Sequence, residues 1–181
     1  MTKILAIGGS SSKNSINRSL AIYVAGLVKG AEVTTVDLND FEMPIYSIDK
    51  EKKDGIPVQA KEFKCLIETH DAVVLSLAEH NGTYSAAFKN ILDWSSRIQG
   101  PLWGNTPMFL LSTSPGKRGG ATVMQLASDY LPRMGAQIVA QYSLPSFRLN
   151  YSEENGLADS EVFNDFKKQF DAFRNVLDGT E

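Results

Sequence analysis

Apolar and polar positions fall into alternating blocks along the chain. Residues 3–7 form a short apolar run, and residues 71–77 and 107–112 are nearly continuous apolar stretches. Runs of this kind suit strands covered on both faces, as in a parallel sheet between helices. Residues 32–37 read as a second strand and 137–141 as a short fifth. Between the strands the spacing changes to three and four. Residues 16 to about 29 carry Leu20, Val24, Leu27 and Val28 on one helical face. A helix is expected from Pro57 to about residue 68, since proline suits the first helical position. Others are expected at about 84–96 and 121–134, the latter ended by Gly135 as a C-cap. The last helix, capped by Asp159 or Ser160, lines up Val162, Phe163, Phe166, Phe170, Phe173 and Leu177 as a core stripe. Residues 39–55 read as a long loop with one short helical turn, and 147–156 as polar loop.

Strands alternating with helices predict an α/β doubly wound fold. Five strands suggest a flavodoxin-like three-layer sandwich with a parallel sheet in the order 2-1-3-4-5, spanning residues 1–181 as a single domain. Ligands bind such sheets beyond the carboxyl ends of the strands, at the switch point between strands 1 and 3. The loops after strands 1, 3 and 4 are therefore the ones to read for chemistry.

Composition narrows the classes. Of 181 residues, 43% are hydrophobic and 22% charged, the balance of an ordinary globular protein. A net charge of −3 without a basic stripe argues against a nucleic-acid partner. No apolar run has the length of a signal segment or a bilayer span, so the expectation is no membrane association and a cytoplasmic location. Cys65 is the only cysteine, which excludes an internal disulfide, and its apolar neighbours suggest a buried, inert thiol. His70 and His80 lack second ligands at metal-binding spacing, so no metal site is expected.

After strand 1 come Ser10, Ser12, Ser15, Ile16 and Asn17, behind two glycines and at the start of a helix. Unpaired N–H groups and a partial positive charge gather there, and short hydroxyl side chains accommodate a phosphate without bulk. The plainer alternative is a serine cap followed by a polar turn. Neither a Gly-x-x-x-x-Gly-Lys-Ser/Thr nor a full Gly-x-Gly-x-x-Gly is present. After strand 3 come Glu79, His80, Asn81, Gly82 and Tyr84. Asn-Gly favours positive φ, and His80 and Tyr84 are placed to flank a flat ring. The alternative is a strand-to-helix turn. After strand 4, Ser112, Ser114 and Gly116 precede Lys117 and Arg118; a ligand-side loop and a solvated surface loop both fit.

Together these loops resemble the NADPH-dependent FMN reductase family, flavodoxin-like enzymes that include quinone, azo-dye and chromate reductases. The likeness runs from residue 3 to about 142. The family's Gly-Ser-x-Arg-x-x-Ser-x-Asn-Arg is matched by Gly9, Ser10, Ser15, Asn17 and Arg18, with Ser12 at the arginine position. Its Pro-Glu-Tyr-Asn-Gly-Ser-Tyr is matched at Glu79, Asn81, Gly82 and Tyr84, with Ala78, His80 and Thr83 as replacements. Lys89, Asn90, Asp93 and Trp94 match its Lys-Asn-x-x-Asp-Trp, and the third loop its Ser-x-Ser-Pro-Gly-x-x-Gly-Gly. The resemblance implies FMN as cofactor, with its phosphate on Ser10, Ser12, Ser15 and Asn17 and Arg18 as a nearby charge. It implies that Glu79, His80, Asn81 and Gly82 border the ring, and that Ser112, Ser114 and Gly116 close the other side. It further implies hydride transfer from NADPH or NADH through flavin N5 to a small-molecule electron acceptor, a quinone, azo compound, free flavin or metal oxyanion. No catalytic side chain is obligatory, because the flavin carries the chemistry. A homodimer or homotetramer is implied as well, with Trp94 suited to either an interface or the core. The alternative function is an FMN-binding electron carrier or sensor without NAD(P)H turnover. A phosphorylation receiver domain is disfavoured, since the strand ends lack the aspartates it needs.

Overall fold

The computed structural model describes residues 1–158 and 161–179. Its centre is a five-stranded parallel sheet in the order β2-β1-β3-β4-β5. The strands are β1 (Lys3–Gly9), β2 (Glu32–Val36), β3 (Ala72–Leu77), β4 (Pro107–Thr113) and β5 (Gln137–Leu144). All five were expected, and the fifth runs three residues further than the apolar pattern suggests. In-register pairing continues through Ser112↔Ser143 and Thr113↔Leu144, where side-chain hydroxyls replace apolar groups. All of β3 and the last six residues of both β1 and β4 are buried, as strands covered on both faces require.

The helices are α1 (Ile16–Gly26), α2 (Ile48–Asp54), α3 (Val58–Glu68), α4 (Ala86–Ser95), α5 (Ala121–Tyr130), α6 (Phe147–Asn150) and α7 (Glu161–Asp178). They form two apolar layers. On one face Phe63, Ile67, Phe88, Ile91 and Trp103 pack against Leu5, Ile7, Leu75 and Leu110. On the other, Leu20, Val24, Phe166 and Phe173 pack against Ile4, Val74, Phe109 and Leu111. The phenylalanine stripe thus reaches the core, although Phe163 and Phe170 remain only half-buried at its edge.

Several local expectations need correction. Residues 39–55 are not mainly loop. A tight 3-10 turn at Leu38–Phe41 is followed by α2, whose cap Ser47 accepts from Lys50 N–H and whose last turn is basic before Gly55. Pro57 occupies the cap position rather than the first helical position. α1 stops three residues early. Pro132 converts the end of the fourth expected helix into a 3-10 turn, which Gly135 closes at φ +86°. Residues 147–156 contain α6 and one side of a two-stranded hairpin, β6 (Tyr151–Ser152) with β7 (Gly156–Leu157). The cap assigned to Asp159 or Ser160 lies outside the described residues. Cys65 is exposed, because α3 turns Ala60, Phe63, Lys64 and Ile67 inward and leaves Cys65 on the opposite side. The buried polar residue of that helix is Lys64, whose Nζ donates to the carbonyls of Gln99 and Gly100. Trp94 belongs to the core and donates to the Pro44 carbonyl at 2.7 Å, so it is not a surface residue for an interface.

Candidate cofactor site

The three loops meet at the carboxyl ends of β1, β3 and β4. Two close contacts bring them there. A Cβ on Gly8 would lie 2.6 Å from the Arg18 backbone, so only glycine lets α1 begin this close to the strand. Ser85 caps α4 by accepting from Phe88 N–H, and its hydroxyl donates to the Gly9 carbonyl at 2.8 Å.

Asn17 fastens the loops to one another. Its buried Oδ1 accepts from Ser76 Oγ at 2.8 Å and Thr113 N–H at 3.1 Å, while Nδ2 donates to the Thr113 carbonyl at 3.2 Å. One side chain thereby joins α1, β3 and β4. Ser15 caps α1 through Oγ, which accepts from Arg18 N–H. Ser10 Oγ accepts from Ser12 N–H. Among the described residues, the N–H groups of Lys13, Asn14, Ile16 and Asn17 have no hydrogen-bond partner. The first turn of α1 has no acidic residue. Such an end favours an anion.

These groups wall a cavity of about 200 Å³. From the first loop it takes Ser10, Ser12, Ser15, Ile16 and Asn17, all anticipated, and Asn14, which lay unremarked in the same polar run. Glu79 and His80 line it from the second loop, Ser114 from the third. Ala78, Thr113 and Pro115 complete the wall and carried no signal beyond their place at strand ends. Among the described residues, no lysine or arginine lines it. Arg18 does not face it either: Nη1 is held at 2.7 Å by Asp37 Oδ2. Asp37 also accepts from Asn39 N–H, and this bond, with help from Asn39 Nδ2 and Arg18, lowers its pKa below the usual 3.8. Asn39 in turn donates to the Ser11 carbonyl, bracing the loop from β2. Sequence reading missed this brace, although Asp37 stands at a strand end, where such residues gather.

The second loop is a tight two-residue hairpin. His80 N–H donates to the Thr83 carbonyl at 2.9 Å and Thr83 N–H to the His80 carbonyl at 3.2 Å. Asn81 and Gly82 take φ +52° and +78°, as the Asn-Gly pair requires. Neither lines the cavity. Glu79 Oε2 accepts from the Thr122 and Val123 N–H groups and so caps α5. Tyr84 does not flank an open ring site: it is buried against Phe88, its hydroxyl has no partner among the described residues, and burial pushes its pKa up to about 12.

In the third loop Ser112 does not line the cavity. Ser112 is fully buried, and its Oγ donates to the Gly119 carbonyl and pairs with Ser143 Oγ. In-sheet pairing with Leu77 and Ser143 turns it into the structure. Gly116 also stands off the cavity; its carbonyl accepts from Ser146 and Gly119 N–H. Arg118 Nη2 donates to Thr122 Oγ1.

Comparison with known proteins decides the lineage. Residues 2–147 match the family model described as NADPH-dependent FMN reductase. The chain belongs to that family. A 2-hydroxy-1,4-benzoquinone reductase from Burkholderia sp is 27% identical over 171 residues, covering 93% of this chain and 89% of that one. An NADPH:quinone oxidoreductase from Arabidopsis thaliana is 28% identical, covering 89% and 81%. Among solved structures, the flavoenzyme NAD(P)H:(acceptor) oxidoreductase FerB from Paracoccus denitrificans superimposes with a TM-score of 0.77 at 25% identity, covering 99% and 98%. The expected sheet order is the one observed, and the two curated relatives are named for the reduction of quinones. Among the described residues no helix is long and apolar enough to cross a membrane.

Proposed function

We propose that the chain is an FMN-dependent NAD(P)H oxidoreductase that passes electrons to a quinone, azo compound, free flavin or metal oxyanion. The observation that carries the cofactor assignment is the set of uncommitted N–H groups at residues 13, 14, 16 and 17, at the positive end of α1 and beside small polar side chains. A phosphate monoester fits that cradle: it supplies acceptor oxygens and charge, and the wall supplies donors without a competing carboxylate in the helix's first turn. The cavity is smaller than a usual ligand pocket, which suits the phosphate end of a larger molecule. Ser10, Ser12, Asn14, Ser15 and Ile16 would hold it by hydroxyl, amide and main-chain donors, and Asn17 through its N–H while its side chain fixes the loops. Glu79, His80 and Ser114 would border the part beyond, with Asn81, Gly82 and Gly116 shaping the backbone around it.

When bound, FMN supplies hydride acceptance and donation at N5. The chain's share is to bind, orient and leave one side open to a second reactant. The relatives named as quinone oxidoreductases support a quinone among the acceptors. We further propose that the function resides in one domain and that the protein works as a homodimer or homotetramer. The test is to reconstitute the protein with FMN and add NADPH, then NADH, without oxygen. Bleaching of the flavin band, recovered on adding a quinone, is the expected result. Bound flavin that neither nucleotide bleaches would favour the electron carrier.

A further inference from the structure

The cavity wall divides into groups already engaged and groups still free. Asn17, Ser15 and Glu79 are engaged by Thr113, Arg18 and the start of α5. His80 is the one titratable side chain in the wall whose ring has no hydrogen bond or ion pair among the described residues. The backbone that carries it is nonetheless fixed, because both main-chain groups of His80 are tied to Thr83 across the hairpin. His80 lines the cavity and is itself exposed to solvent. The charged residues on the loops that share this cavity are Glu79, which lines it and caps α5, Lys117 and Arg118 on the third loop, the latter bonded to Thr122, and Lys13 on the first.

We propose that His80 donates the proton that completes reduction of a quinone-type acceptor in this site. The inference rests on the function proposed above. Reducing a quinone to a hydroquinone takes two electrons and two protons. One proton arrives with the electron pair, as a hydride equivalent drawn from NAD(P)H by way of the flavin; NAD(P)H is oxidised and the quinone becomes a hydroquinone monoanion. The second proton comes from His80: an O–H bond forms at the anionic oxygen as an N–H bond of the imidazolium breaks. The neutral imidazole regains its proton from water. Histidine as a residue type changes charge near neutrality and suits this exchange. The tyrosine found here in the family pattern holds its proton to about pH 10.

The experiment uses the FMN-loaded protein, wild type and His80→Gln, reduced without oxygen and mixed with 1,4-benzoquinone or with ferricyanide. Ferricyanide takes one electron and no proton. Over about pH 5 to 9, the wild-type quinone rate should fall as pH rises, and H80Q should lose that slope. At about pH 6 the quinone-to-ferricyanide rate ratio should fall at least about tenfold in H80Q, at or below the low end of general acid catalysis. A second readout is proton NMR. The chain has 2 histidines, so H80Q assigns the His80 ring signal, which a non-reducible quinone analogue should shift while the His70 signal stays. An unchanged ratio and slope in H80Q, or a His80 signal that ignores the analogue, overturns this proposal alone. A wild-type protein that takes up no FMN overturns the proposed function with it.

Discussion

The first and third loops look alike as sequence, both rich in glycine and serine at a strand end, yet they do different work. In the first loop the backbone donors of residues 13, 14, 16 and 17 are free. In the third, Ser112 binds Gly119 and Ser143, Thr113 Oγ1 binds the Leu144 carbonyl, and Ser114 and Gly116 carbonyls take N–H groups from Phe147 and Ser146. The difference comes from how each strand ends. β1 gives way to α1, whose first turn always leaves donors unpaired. β4 runs on in register with β5 to Thr113, so its hydroxyls point into a sheet still being paired. A serine after a strand is a ligand candidate only where pairing has stopped.

The largest effects should come from filling the close approach under each loop. Gly8→Ala puts a methyl against the Arg18 backbone, and Gly119→Ala puts one 2.7 Å from the Leu144 carbonyl at φ +59°. Each should cost about 3 kcal/mol in urea unfolding. If the two loops differ as described, G8A should also abolish FMN uptake, and G119A should leave most of it in the fraction that stays folded.

Cutting the tie between the loops comes next. Asn17→Ala strands Ser76 Oγ and the Thr113 peptide in a buried place, with an expected loss of about 2 kcal/mol. The family resemblance presents Asn17 as a phosphate ligand; its burial and three bonds say that stability falls with affinity. Wild-type stability in N17A would detach it from that role.

A paired serine test is smaller in size. Ser112→Ala should lower stability by about 1 kcal/mol and leave FMN affinity nearly unchanged, while Ser12→Ala should do the reverse, weakening FMN about tenfold. The two are separated by calorimetric titration and denaturant curves. Matching behaviour in both would erase the contrast.

Acid should loosen the brace of the first loop. The Asn39 N–H, with Arg18, lowers the pKa of Asp37, so the folded state favours the carboxylate. That stabilisation is complete above the usual carboxylate pKa and is lost as pH falls through the lowered value. The pair is about one-third exposed, so less than about 1 kcal/mol is expected. It should be visible as a stability-against-pH difference between wild type and Asp37→Asn that closes in acid.

The sheet order and the serine loop that lines the cavity were legible because they rest on local signals: apolar runs, a change of period, and glycines before serines. The illegible features depend on partners distant in sequence. Ser112 reads as a ligand until β5 is known to run beside it. Arg18 reads as an anion partner until Asp37, from the neighbouring strand, claims it. Tyr84 is a local exception: Phe88, only four residues on, packs against the ring that reads as a flank. α2 was a local miss, since Ser47, the acidic first turn and Gly55 spell a capped helix in a stretch without an apolar face.

The central claim is that the free donors at the start of α1 hold a phosphate, and the direct measurement is calorimetric titration of the chain with FMN and with riboflavin, which lacks the phosphate. FMN binding at least about 100-fold more tightly, a difference of about 2.7 kcal/mol, is the predicted result. Equal affinities for the two would contradict it.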